Sequence, residues 1–354
     1  MFLALKEIKH NKGRFSLIIA LIILIGYLVY FLSALAYGLA SSYTNGIDKI
    51  NASQLLLKND SNDNVMMSML DNQTFEDLKV DGSKAKLGLF PAIILKHENN
   101  ANLLETKEEV FVFGVEELSF FLPGNNLTLN ENEMIVDESI KELGYKKGDQ
   151  ISISGTDIKW VIKDFVKKST YQTAPIVYIS LDNWKEYRFG NKETELYNAI
   201  FIKGNITKNV DTLQSYTIKQ YVSTLPGYTA QVLTFSLMIS FLIIIMAFVL
   251  GIFIYVLTIQ KVNIFGVMKA QGISSKYIGK SVIVQTLILV LIGSFIGFVI
   301  TLTTGYALKG KVPFANNSLF YTGITLAFLL FSTLGALFSY RAVIKIDPVK
   351  AIGW

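Results

Sequence analysis

The stretch Phe15-Ser-Leu-Ile-Ile-Ala-Leu-Ile-Ile-Leu-Ile-Gly-Tyr-Leu-Val-Tyr-Phe-Leu-Ser-Ala-Leu-Ala-Tyr-Gly-Leu-Ala-Ser-Ser-Tyr-Thr-Asn-Gly-Ile47 contains no Asp, Glu, Lys or Arg. A helix that crosses a bilayer needs about 20 apolar residues, so this segment is long enough with residues to spare. Three further charge-free gaps follow at 220–260, 281–308 and 312–340. The first part of the 220–260 gap is polar, from Gln220 to Gln231 with Pro226 and Gly227, and reads as an approach to the membrane. The spans are therefore expected at 15–47, 232–258, 281–308 and 312–340. Composition agrees: 17% of the 354 residues are charged, against roughly 25% in a soluble domain.

The short segments between spans set the orientation. Residues 1–14 carry Lys6, Lys9, Lys12 and Arg14 against Glu7. The loop 259–280 carries Lys261, Lys269, Lys276 and Lys280 without an acid, and the tail 341–354 carries Arg341, Lys345 and Lys350 against Asp347. The loop 309–311 holds only Lys309 and Lys311. The positive-inside rule puts the first three in the cytoplasm, so both termini are expected inside and 48–231 outside. Segment 48–219 holds 20 of the 33 basic and 26 of the 28 acidic residues, so it is acidic although the chain is +5 overall. The basicity belongs to the cytoplasmic rim, which argues against nucleic acid as a partner.

Within 48–231, short β-branched or aromatic runs read as strands: Glu109–Gly114, Glu133–Asp137, Gln150–Ser154, Trp160–Ile162 and Ile176–Ile179. Glu138–Leu143 is amphipathic, Gly144–Asp149 reads as a turn and Leu181–Tyr187 as a short helix, whereas 51–107 has a mixed pattern. The expected architecture is four transmembrane helices with an extracytoplasmic α+β domain inserted between the first and second.

Enzyme chemistry is thin. The only histidines are His10 and His97, and no nucleophile-elbow sequence accompanies either. The acidic pairs Glu108-Glu109, Glu116-Glu117 and Glu131/Glu133 sit in surface-like sequence, and without cysteine there is no thiolate metal site or disulfide framework. No catalytic residue, metal site or intrinsic cofactor is expected. Ser274-Ser-Lys-Tyr-Ile-Gly-Lys-Ser281 lacks the first glycine of a phosphate loop and opens a span instead of following a strand.

The loop after the second span is the most informative segment. Lys261 to Gly272 can form a short amphipathic helix whose Ile264, Phe265, Val267 and Met268 would be exposed unless they met a partner groove or the lipid headgroups. Gly266-Val-Met-Lys-Ala-Gln-Gly-Ile-Ser-Ser-Lys-Tyr-Ile278 and the ending Ile346-Asp-Pro-Val-Lys-Ala-Ile-Gly353 resemble MacB/FtsX-type ABC transporter permeases, as do the span count and the inserted domain. Within that family, Leu3-Ala-Leu-Lys-Glu-Ile8, Leu257-Thr-Ile-Gln-Lys261 and the closing Ala-Ile-Gly resemble the HrtB group of heme-exporter permeases. The resemblance implies a permease homodimer in a bacterial cell membrane, bound to a separate cytosolic ATPase. It makes Ile264, Phe265, Gly266, Val267, Met268, Lys269 and Gly272 the ATPase-coupling residues and heme the transported substrate. Export of peptides, antibiotics or lipids, and mechanical transmission to an extracellular hydrolase, are the alternatives within the family.

Heme is flat and apolar with two propionates, so an exporter needs aromatic surface open toward lipid. Tyr27, Tyr30, Phe31 and Tyr37 lie within about 80° of Tyr27 on one side and about 40° on the other, one broad face of helix one. Met238 and Met246 stand eight apart on helix two. These six are the candidate substrate contacts. Aromatic stripes also serve helix packing and interfacial anchoring.

Overall fold

The computed structural model describes residues 2–95, 107–116, 118–122 and 128–344. His97, Glu117 and the C-terminal signature 346–353 lie outside them. The chain opens with α1 (Phe2–His10) and α2 (Lys12–Asp48), then enters the inserted domain through β1 (Gln54–Lys58). There follow α3 (Asn72–Asp77), β2 (Lys79–Val80), β3 (Ser83–Leu95), β4 (Lys107–Val115), α4 (Leu118–Phe121) and β5 (Glu133–Asp137). A 3-10 turn (Glu138–Leu143) leads to β6 (Gln150–Ile153), β7 (Lys159–Val166), β8 (Thr170–Tyr171), β9 (Ala174–Ser180) and α5 (Leu181–Phe189). The domain ends with β10 (Ala199–Lys203), β11 (Ile206–Lys208), β12 (Leu213–Thr217) and α6 (Ile218–Thr224). The remainder is α7 (Tyr228–Ile259), α8 (Val262–Ala270), α9 (Ser275–Ala307) and α10 (Ser318–Ile344).

Two compact units result: residues up to Gly38 together with those from Val232 onward, and Leu39–Gln231. In the first unit, α2, α7, α9 and the Ser318–Leu337 part of α10 are long and apolar enough to cross a membrane. The four-helix expectation holds, with an α/β domain between the first and second spans. The fourth helix starts at Ser318, later than the charge-free gap at 312 suggests. Pro313 interrupts the lead-in, and the Asn317 carboxamide oxygen accepts from the Leu319 amide at 2.9 Å, capping the first turn.

Lipid gives helices no hydrophobic reason to associate, so close packing must come from small residues. At Gly297 of α9 an added Cβ would stand 2.9 Å from the Tyr27 nitrogen and 3.1 Å from the Ile23 carbonyl oxygen of α2. Gly293 and Gly297 form the Gly-x-x-x-Gly face that lets the two backbones meet. Around this contact Phe15, Ile18, Ile22, Val29, Leu289 and Val290 form the buried core of the bundle.

In the second unit the long strand β3 organises the sheet. Its first half pairs with β10, its second half with β4, and its last two residues with β6 (Ile94 opposite Ile153, Leu95 opposite Ser152). The path β3-β4-β9-β5-β7-β6 thereby returns to β3 and closes a ring, while β10, β1 and β12 extend the sheet on the other side of β3. Val112, Met134, Val136, Ile153, Trp160 and Val177 belong to one buried core. A second core gathers Phe113, Phe121, Tyr171 and Tyr221 with Ile47 and Ile50, next to the end of α2.

All five strands expected from the sequence are present, as is the helix after Ile179. The pattern reading missed β1, β3, β10 and β12. Gln54-Leu-Leu-Leu-Lys58 has three consecutive buried leucines, because Leu55 and Leu57 enter one core and Leu56 the other, so β1 shows no alternation. In β3, Pro91 sits mid-strand and blurs the signal further.

Candidate functional site

The aromatic residues of α2 occupy two environments. Tyr30 is 1% exposed, and its hydroxyl pairs with the Thr325 hydroxyl at 2.7 Å. Its ring meets Phe298, Tyr321 and Phe328 edge-on, with centroids 5.7, 5.9 and 5.8 Å away. Tyr30 is thus the centre of an aromatic cluster joining α2, α9 and α10. Tyr27 stacks on Phe31 at 5.7 Å, Phe31 reaches Phe314 at 5.8 Å, and Tyr37 meets Phe320 edge-on at 5.5 Å. These three are half-buried and keep part of their rings uncovered. One face by helical angle is therefore split by its neighbours: Tyr30 faces the bundle core, and Tyr27, Phe31 and Tyr37 line its margin.

The two methionines separate in the same way. Met246 is 1% exposed among the core residues, whereas Met238 is 42% exposed. Sequence spacing missed the partner rings Phe298, Phe314, Phe320, Tyr321 and Phe328. The usable signal was the glycine spacing at 293 and 297, which marks the helix face that α2 contacts. Also missed was an apolar cleft of about 500 Å³ between α7 and α10, lined by Phe248, Tyr255, Phe331 and Leu334 and bordered by Gly251 and Gly335. Among the described residues no cluster of His, Cys, Asp or Glu could hold a metal ion.

The second candidate site is α8. It spans nine residues and ends where Gly272 takes φ 91°, after which the Ser274 hydroxyl caps α9 by accepting from the Tyr277 amide. Ser274 thus serves as a helix cap in the segment that distantly resembled a phosphate loop. Of the four apolar residues expected to be exposed, Ile264 and Val267 are (59% and 43%). Phe265 is not: it is 1% exposed and packs with the bundle core, correcting that expectation. A nine-residue helix covering a bundle end needs one inward anchor, and Phe265 fills that role. Gly266 is buried beside it, and Met268 is half-buried against the same core. Lys269 donates to the Ile344 carbonyl at 3.0 Å, fastening α8 to the end of α10.

Three acids of these pairs are ion-pair partners. Glu133 meets Lys163 at 2.6 Å, Glu116 meets Lys86 at 3.5 Å, and Glu131 bonds Lys192. Salt bridging accounts for Glu116, Glu131 and Glu133, whereas Glu108 is half-buried beside Glu109 and the pKa of its carboxyl is raised by that burial and by the neighbouring charge.

The family of FtsX-like permease C-terminal regions matches residues 236–348, which takes in α8, α9 and all of α10. A "Putative hemin transport system permease protein HrtB" of Staphylococcus haemolyticus is 26% identical over all of this chain and 99% of its own length. Two proteins of the same name from strains of Staphylococcus epidermidis are 28% identical, with the same coverage. The chain resembles FtsX-like ABC permeases. The resemblance seen in residues 266–278 is borne out, and the likeness to HrtB permeases runs from end to end. The likeness is to a transporter component. The four apolar helices make the chain a multi-pass membrane protein.

Proposed function

We propose that this permease is the membrane subunit of an exporter that removes heme, or a similar amphipathic tetrapyrrole, from a bacterial cell membrane, driven by a separate cytosolic ATPase. The observation that carries the substrate is the full-length similarity to permeases named for hemin transport. On this reading α8 lies in the cytoplasm, where Ile264 and Val267 form the knob for the ATPase while Phe265, Gly266, Met268, Lys269 and Gly272 hold the helix in place. The permease works as a homodimer in lipid, with both termini inside and the inserted domain outside. Tyr27, Phe31, Tyr37 and Met238 retain surface for the flat ring of the cargo, whereas Tyr30 and Met246 support them from the core.

The test is a hemin titration of the purified permease–ATPase complex, following the Soret band and ATP turnover together. A saturable spectral change with altered turnover, weakened by Tyr27→Ala and Tyr37→Ala, is expected. No saturable binding and no change in turnover would remove heme as cargo and direct attention to peptides or to a partner hydrolase.

A further inference from the structure

Two segments that resembled heme-exporter permeases, Leu3–Ile8 and Leu257–Lys261, come together in the bundle. The Lys261 ammonium lies 3.1 Å from the Glu7 carboxylate, with only 11% and 16% of the two side chains exposed. The same ammonium stands 5.3 Å from the centre of the Phe15 ring. One residue earlier, the Gln260 carboxamide oxygen accepts from the Arg14 guanidinium at 3.0 Å. Both bonds grip the elbow between α7 and α8, one from α1 and one from the first turn of α2.

Lys261 is the residue before α8, yet it gives that helix no side-chain cap. A lysine at a helix start is unfavourable for the helix dipole and ordinarily extends into water. Here its charge is turned inward to a carboxylate 254 positions away. Beside it, Lys261, Thr258, Phe265 and Gln285 line one small cavity, so the elbow also touches α9. An ion pair largely removed from water breaks at a cost when either partner is lost, because the other charge stays buried alone.

We infer that the Glu7–Lys261 pair, reinforced by Arg14–Gln260, is a strap that makes the N-terminal helix part of the coupling element. When a partner pushes on α8, α1 moves with it as one body, and Glu7 is a positioning residue for energy coupling. This rests on the reading that α8 meets an ATPase.

The chain has no cysteine, so spin labels at Lys9→Cys on α1 and Asn263→Cys on α8, in labelled protomers diluted with unlabelled ones and joined to a cysteine-free ATPase, report one distance within the protomer. In the complex, that distance should keep one narrow distribution between the nucleotide-free and the vanadate-trapped states. Glu7→Gln should lower cargo-stimulated ATP turnover about tenfold while the ATPase still copurifies, and the exchange E7K/K261E should restore most of it. A label distance that changes with nucleotide, or wild-type turnover in Glu7→Gln, would overturn the strap. Should no ATPase associate with the wild-type permease, the docking reading fails on its own. The strap would still require a narrow label distance in the permease alone, broadened by Glu7→Gln.

Discussion

The hydroxyl of Tyr171 lies 2.7 Å from that of Tyr221, and both rings are buried. The bond ties the hairpin β8–β9 to α6, the helix that leads into α7. Removing one hydroxyl takes away the other's buried tyrosine partner, which costs about 1–3 kcal/mol. Tyr171→Phe and Tyr221→Phe should each lower unfolding stability by that amount, and the double variant by less than their sum. Denaturant unfolding of the full chain in detergent, followed by the fluorescence of buried Trp160 and Trp184, reads this directly.

Alkaline pH should loosen the same domain. Burial pushes the Tyr171 phenol up to about 12, and also raises Tyr178 and Tyr221. A group whose folded pKa lies above its unfolded value of about 10 contributes its full stability below pH 10 and loses it as pH climbs toward 12. Stability should be flat from neutral pH to about 10 and then fall, with a shallower fall in Tyr171→Phe. A curve that stays level through pH 12 would contradict this assignment.

Gly46 is the point where the last turn of α2 passes the hairpin β8–β9. A Cβ there would press on the tip of Ile176 and stand 2.9 Å from the Thr170 carbonyl oxygen. The isoleucine can rotate away, but the carbonyl belongs to the backbone. Gly46→Ala should cost about 1–3 kcal/mol despite its better helix propensity, whereas an alanine at Gly13, with nothing near its Cβ, should not. Equal melting temperatures for the two variants would count against the close approach.

On α8, adjacent residues should give opposite phenotypes. Phe265→Ala empties a filled site in the bundle core and should destabilise the permease by about 3–5 kcal/mol. Ile264→Glu and Val267→Glu alter exposed surface and should leave unfolding within about 0.5 kcal/mol of wild type. They should instead abolish copurification of the ATPase. Retained copurification in both glutamate variants would move the docking surface elsewhere.

The aromatic residues of α2 divide similarly. Tyr30→Phe loses the hydrogen bond to Thr325 and should cost about 1 kcal/mol of stability with hemin affinity unchanged. Tyr27→Ala and Tyr37→Ala should weaken hemin binding with smaller effects on folding. A Soret titration beside thermal unfolding separates the two effects, and a hemin defect confined to Tyr30→Phe would reverse the roles.

Much of this was legible in the sequence because lipid enforces a plain rule: no charge for 20 residues. The spans and the strands β4, β5, β6, β7 and β9 announce themselves, as does the helix that Gly272 stops. What stayed hidden depends on partners far along the chain. Tyr30 and Tyr27 are alike as letters on a helical wheel, and only Phe298, Tyr321 and Phe328 decide which is core. Phe265 looked like part of an exposed knob because periodicity cannot say how close a short helix lies to a bundle. The leucines of β1 read as featureless because a strand with a core on each face needs no alternation.

The pairing of β1 with β12, Leu56 opposite Ser215, sets a condition on biosynthesis. The ribosome delivers the first strand of the inserted domain some 150 residues before its neighbour, and β3 likewise waits for β10. The ring β3-β4-β9-β5-β7-β6 can pair once Ser180 has emerged, but the β10-β1-β12 extension must stay unfinished until the residues just ahead of α7 are made. Maturation of that extension should therefore be late, and in a chain arrested before β10 the segment of β1 should be open to proteases while the ring is already paired.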